Sequence, residues 1–184
     1  QTFDIKKGDR IAVLSTNEWE FVPLFFAAQR LGAILVPVNF RLTSREIDHI
    51  LSDSGAKLLI YQNSYQETIM ACSSEAKPKQ QWLFDTADGL IGFLKHVFDK
   101  FSSDSSVHNK ANKTWEIEMR AEFEDPCMII YTSGTTGAPK GALITHSMLF
   151  WNSVNTTLRL NLNQNDVTVG FLPFFNTGGS NVLL

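Results

Sequence analysis

Three times in its first seventy residues the chain runs from a short apolar stretch into a polar side chain with glutamate three residues on. Apolar residues at helical spacing then follow. RIAVLS (Arg10 to Ser15) suits a buried strand. Asn17 stands next as an N-cap, with Glu20 placed to reach back to the free amide. Phe21, Leu24, Phe25, Ala28 and Leu31 recur at helical spacing, and Gly32 sits where a left-handed C-terminal residue is wanted. Trp19, Phe21, Phe25 and Phe26 read as core aromatics of that helix. AILVPV is a second strand. Thr43 and Glu46 open a helix with Ile47, Ile50 and Leu51 on one face, and Gly55 ends it. KLLIY is a third strand, Ser64 and Glu67 repeat the capping box, and QWLF offers a fourth strand. Strand-then-capped-helix units in series predict an α/β fold with a mainly parallel sheet, right-handed crossovers and helices on both faces. Sheets of this kind bind ligands beyond the carboxyl ends of their strands.

Further on, Leu90, Ile91, Leu94, Val97 and Phe98 predict a helix within Asp88 to Lys100. SSDSSVHNKANK (Ser102 to Lys113) predicts an exposed loop. An acidic approach, Glu116 to Asp125, leads to Pro126 and the strand CMIIY. GALITH is expected to pair with CMIIY as a hairpin. Met148, Leu149, Val154 and Leu158 predict a helix capped by Thr145 or Ser147, and DVTVGFLP a further strand.

Several function classes fall away on composition. A net charge of −3 gives no electrostatic footprint for nucleic acid and no polybasic membrane patch. The most apolar stretch, Phe21 to Val38, contains Pro23, Gln29, Arg30 and Pro37, which argues against a lipid-spanning helix. The N-terminus QTFDIKKGDR shows no signal peptide. Cys72 and Cys127 have no metal-ligand or CxxC spacing and read as reduced, buried thiols of a cytoplasmic protein. No His/Cys/Asp cluster suggests a metal site. His49, His96 and His108 read as surface or half-buried structural residues, and His146 as a local structural residue at a helix start.

Between CMIIY and ALITH lies YTSGTTGAPKG, Tyr131 to Gly141. Gly134, Gly137 and Gly141 are expected to allow positive φ and close approach of the backbone to a ligand. Successive amides in such a turn make an anion-binding concavity. Ser133, Thr135 and Thr136 add hydroxyl donors, and Lys140 a compact positive charge suited to phosphate oxygens. Donors and a cation without an acid predict an oxyanion ligand, best a polyphosphate. The stretch is not a Walker A loop, because the lysine follows proline and leads into a strand.

As a whole, YTSGTTGAPKG resembles the signature loop of the adenylate-forming superfamily, which includes AMP-forming acyl-CoA synthetases. KKGDRIAVLSTNEWEF, RLGAILVPVNFRLTSREIDHIL, DPCMIIYTSG and FLPFFNTGGSNVLL resemble other stretches of those synthetases. The resemblance implies part of a layered αβαβα-type N-terminal domain, residues 1–184 being an incomplete AMP-binding domain without its C-terminal domain. It implies attack of a carboxylate, in the first instance a fatty acid, on the α-phosphate of ATP, and then transfer of the acyl group to coenzyme A. Thr132, Ser133, Gly134, Thr135, Thr136, Gly137 and Lys140 would bind phosphate. Lys140 would neutralise the leaving group with help from Mg²⁺, and Asn176, Thr177 and Gly178 would contact the acyl substrate. Many synthetases carry histidine where FNTGG has Asn176, which bears on the identity of the acid. Asn176 reads equally as the cap of a helix starting near Gly178. The adenine contacts, magnesium-binding glutamate and distal lysine of such enzymes lie beyond this stretch, which implies a fragment cut at both ends. The expected partners are small molecules, and a homodimer is left open. Two alternatives remain: an adenylation domain that loads a carrier protein, and a nucleotide-binding relic that does not ligate.

Overall fold

The computed structural model describes residues 3–84, 121–132 and 138–181. The expected helix within 88–100 and the polar loop 102–113, with His96 and His108, lie outside the described residues, as do Ser133, Gly134, Thr135, Thr136 and Gly137 of the glycine-rich loop. One six-stranded sheet organises the described residues. Its strands are β1 (Arg10–Leu14), β2 (Ile34–Val38), β3 (Leu58–Gln62), β4 (Gln80–Phe84), β5 (Pro126–Thr132) and β6 (Lys140–Thr145), in spatial order β4-β3-β1-β2-β5-β6. The first five run parallel, and β6 returns antiparallel to β5. The predicted mainly parallel sheet and the predicted hairpin are both present.

The helices are α1 (Phe21–Leu31), α2 (Ser44–Ser54), α3 (Gln66–Met70), α4 (His146–Leu160) and α5 (Thr177–Asn181). The pleat sorts the core into two layers. Ile11, Val13, Leu35, Leu58, Ile60, Met128 and Ile130 pack with Phe21, Phe25 and Ala28 of α1. Ala12, Leu14, Val36, Val38, Leu59 and Tyr61 pack with Ile47, Ile50 and Leu51 of α2. Alternate residues of each strand thus serve opposite faces, as a strand covered on both sides requires.

α2 follows its sequence closely. Thr43 and Glu46 form the reciprocal capping box, and Gly55 ends the helix at φ 56°. Gly32 likewise ends α1 at φ 68°. Thr145, not Ser147, caps α4, accepting from the Met148 amide at 3.2 Å. Cys72 and Cys127 are free and buried, and desolvation pushes their thiols up to about 11 and about 12. Such groups are poor nucleophiles at neutral pH.

Five local expectations fail, each for an identifiable reason. Asn17 does not cap α1, whose N-cap is Glu20 with no side-chain capping bond. Its carboxamide is taken instead by residues 172–174, far along the chain. Ser64 cannot be an N-cap because it lies inside a 3₁₀ turn, Asn63–Tyr65, that runs directly into α3; a cap residue needs extended backbone. Trp19 and Phe26 are not core: Trp19 precedes the helix, and Phe26 is a step of about 100° round from Phe25. They are 56% and 46% exposed, against 0% for Phe25. DVTVGFLP forms no strand. Val167, Val169 and Phe171 are exposed, and no described strand lies alongside to complete a ladder. Gly141 does not adopt positive φ. A Cβ there would come within 2.7 Å of Ile129 Cγ2 and 3.1 Å of the Tyr131 ring, so its smallness serves a close side-chain approach.

Candidate functional site

The carboxyl ends of the parallel strands carry the features that the sequence singles out. β5 ends at Thr132 and β6 begins at Lys140, and these two residues face each other across the hairpin. Both are exposed. Lys140 makes no ion pair among the described residues. The hairpin positions both groups through ordinary ladder pairing, Ile130 with Ala142 and Tyr131 with Gly141.

α2 adds two contacts that sequence periodicity did not reveal. His49 Nε2 lies 2.9 Å from the Pro139 carbonyl oxygen. The Tyr131 hydroxyl donates to Asp53 Oδ2 at 2.6 Å. Burial, and then the Asp53 carboxylate, hold the Tyr131 phenol above its ordinary range, so it stays a proton donor. The only signal in the sequence was the four-residue spacing of His49 and Asp53, which places them on one helix face.

Residues 172–181 are drawn to the same edge of the sheet. Asn17, just past the end of β1, donates to the Leu172 carbonyl at 2.8 Å and accepts from the Phe174 amide at 3.0 Å. Phe174 stacks on Phe21 with centroids 5.0 Å apart, and Phe175 meets Phe40 edge-on at 5.3 Å. Of the two roles expected of Asn176, the capping one is formed: its Oδ1 accepts from the Gly179 amide at 3.0 Å. Thr177, but neither Asn176 nor Gly178, lines a cavity of about 270 Å³ with Ile130, Ile144, Met148, Asn152 and Ser180. That hollow is mostly apolar and abuts β5 two residues before Thr132.

The Gly178–Gly179 pair is a packing requirement. A Cβ on Gly179 would run into the Pro173 carbonyl oxygen, which is backbone and has no rotamer to yield. Gly179→Ala is therefore expected to destabilise the protein by about 1–3 kcal/mol. A urea titration giving an unchanged midpoint would refute this account of the turn.

A larger hollow, about 580 Å³, lies at the other end of the hairpin between Gln29 of α1 and His146, Phe150 and Ser153 of α4. Because Thr145 faces Pro126, this is the amino end of β5, about 20 Å from Thr132 at 3.3 Å per residue. His146 starts α4 there, its amide donating to the Asp125 carbonyl at 3.1 Å, and burial holds its ring below the ordinary histidine range against the pull of Asp125. No group of three or more His, Cys, Asp or Glu side chains able to hold a metal ion occurs among the described residues. No helix among them is long and apolar enough to cross a membrane.

Comparison with known proteins bears on this geometry. The profile of the AMP-binding enzyme family matches residues 1–184. A feruloyl-CoA synthase from an Amycolatopsis species is 31% identical over 172 residues, covering 94% of this chain and 30% of that protein. A long-chain-fatty-acid–CoA ligase of Mycobacterium tuberculosis, FadD13, is 34% identical over 173 residues, covering 94% of this chain and 31% of its own length. The inhibitor-bound crystal structure of the N-terminal domain of FACL13, also from M. tuberculosis, superposes with a TM-score of 0.75 at 30% identity. It covers 98% of this chain and 42% of that one. The chain thus spans about 30% of the length of the curated relatives it matches.

Proposed function

Because the chain belongs to the AMP-binding enzyme family, we propose that it forms part of an ATP-dependent, AMP-forming carboxylate–CoA ligase. The observation that carries this reading is the pair Thr132 and Lys140, opposed and exposed where a parallel strand ends. The relatives are roughly three times longer, and we take residues 1–184 as an incomplete AMP-binding domain. In the first step a carboxylate oxygen attacks the α-phosphorus of ATP. The bond to the β-phosphate oxygen breaks, and pyrophosphate departs with the electron pair. In the second step the CoA sulfur attacks the acyl carbonyl and AMP leaves. Thr132 and Lys140, with Ser133, Gly134, Thr135, Thr136 and Gly137 between them, grip the β- and γ-phosphates. Lys140 offsets the charge that builds on pyrophosphate. Such work is positioning and charge stabilisation, with little covalent chemistry for the protein. Mg²⁺ would supply further charge neutralisation beside Lys140, although no group of three or more His, Cys, Asp or Glu side chains among the described residues could hold it.

For the acid we put forward a fatty acid, with Asn176, Thr177 and Gly178 on its path. Its support is the apolar lining of the hollow beside Thr177 and the likeness to a long-chain-fatty-acid ligase. The likeness to a feruloyl-CoA synthase makes an aryl acid the second arm of any screen. The assigned setting is the cytoplasm, where both ATP and CoA are at hand.

The full-length protein, given ATP, Mg²⁺, CoA and a panel of fatty and aryl acids, is expected to release pyrophosphate only with its own acid and to yield that acid's CoA thioester. Pyrophosphate release with transfer only to a phosphopantetheinyl carrier would move the assignment to carrier loading. ATP binding by calorimetry with no acid-dependent turnover would leave a nucleotide-binding relic.

A further inference from the structure

The side chains His49 and Asp53 stand one turn apart on α2, and each takes hold of a different stem of the β5–β6 hairpin. A carbonyl oxygen only accepts, so the ring nitrogen 2.9 Å from Pro139 O must carry the hydrogen. That bond fixes the peptide group immediately before Lys140. Asp53 accepts from Tyr131, the residue immediately before Thr132. The Tyr131 ring in turn lies against Gly141 on the opposite strand, where an added Cβ would come within 3.1 Å of Cζ. The two contacts therefore brace both strand ends from one side.

The helix that supplies them is itself fixed. The Thr43–Glu46 box closes its first turn. At its last turn Arg10 of β1 donates to the Ser54 and Gly55 carbonyls at 2.8 and 2.7 Å. Ile47, Ile50 and Leu51 are sunk in the core. Any rotation of α2 that released the hairpin would also break these contacts.

We propose that His49 and Asp53 are positioning residues for the adenylation step: from one face of α2 they hold the two strand ends that present Thr132 and Lys140. The Lys140 ammonium is then already aimed when negative charge develops on the departing pyrophosphate. This inference rests on the phosphate-binding reading of the loop. Preorganisation of this kind matters because a misplacement of about 1 Å can reduce a rate by about a hundredfold. His49 and Asp53 need touch no substrate to exert it.

The test is single-turnover pyrophosphate release by the full-length enzyme, beside thioester formation from supplied acyl-adenylate. His49→Ala is expected to slow pyrophosphate release by about tenfold or more, within the range that such a displacement gives, while thioester formation stays within about twofold. His49→Gln, which keeps an N–H donor, should recover part of the loss. Tyr131→Phe, which removes the bond to Asp53, should reproduce it. The decisive comparison is with Lys140. If His49 acts by aiming that ammonium, His49→Ala should add little to Lys140→Ala in the double variant. Multiplying losses, an equal loss in both half-reactions, or no loss from either His49→Ala or Tyr131→Phe would overturn the brace. Should His49→Ala lower the unfolding midpoint, His49→Gln and Tyr131→Phe decide the matter. A Lys140→Ala variant with undiminished pyrophosphate release would instead defeat the reading of the loop on which the brace depends.

Discussion

Lys140→Ala in the full-length protein is expected to slow acid-dependent pyrophosphate release by about 10²–10³-fold, the usual loss when one preorganised group facing developing charge is removed. Thioester formation from supplied acyl-adenylate should change far less. The asymmetry follows from where the charge moves. In the first half-reaction a triphosphate splits, and negative charge collects on the β- and γ-oxygens. In the second no pyrophosphate is present. Lys140 opens β6 opposite Thr132, is exposed, and has no carboxylate partner among the described residues. No structural ion pair among the described residues occupies its ammonium. Lys140→Arg should restore only part of the rate, since a broad planar fork does not occupy the place of a compact ammonium. Equal losses in both half-reactions would mean that Lys140 supports the fold or the nucleotide as a whole, and the leaving-group role would have to be given up.

The order of strands and helices could be read from the sequence because each rests on local physics. RIAVLS, AILVPV and KLLIY are long enough to cross a covered sheet and too short for helices of their own. Thr43 and Glu46 close a capping box within four residues. Two of the failures turn on pairing that local sequence does not show. Asn17 had a suitable glutamate three residues on, yet its carboxamide binds residues 172–174 instead. DVTVGFLP has the alternation of a strand, but a strand exists only beside another, and none of the described strands flanks it. For the site, the residue types of Thr132 and Lys140 and their place at a strand end were legible, because chemistry and spacing sit together in one hairpin. From sequence His49 reads as structural, since nothing near it says that Pro139, ninety residues on, supplies its acceptor.

The pair Phe25→Ala and Phe26→Ala separates the two faces of α1 by stability alone. Phe25 is fully buried between α1 and the sheet, in the layer that contains Ile11, Val13, Leu35 and Met128. Truncating it removes a ring from a close-packed layer and leaves a void that the parallel strands, laddered on both sides, cannot close. The expected loss is about 3–5 kcal/mol, a large share of the total stability of an ordinary domain. Phe26 touches Phe25 edge-on at 5.3 Å but is 46% exposed. Its truncation should lose a partial burial term and one aromatic contact, about 1 kcal/mol. Urea titrations followed by tryptophan fluorescence, compared at unchanged slope, measure both. Equal shifts would mean that the exposed side of α1 is covered in the full-length protein, and the assignment of its buried face to Phe21, Phe25 and Ala28 alone would then be too narrow. A small shift for Phe25→Ala would be the more serious result. It would mean that this layer rearranges without loss, and the sheet would then be a poor frame for a hairpin whose Lys140 must stand still.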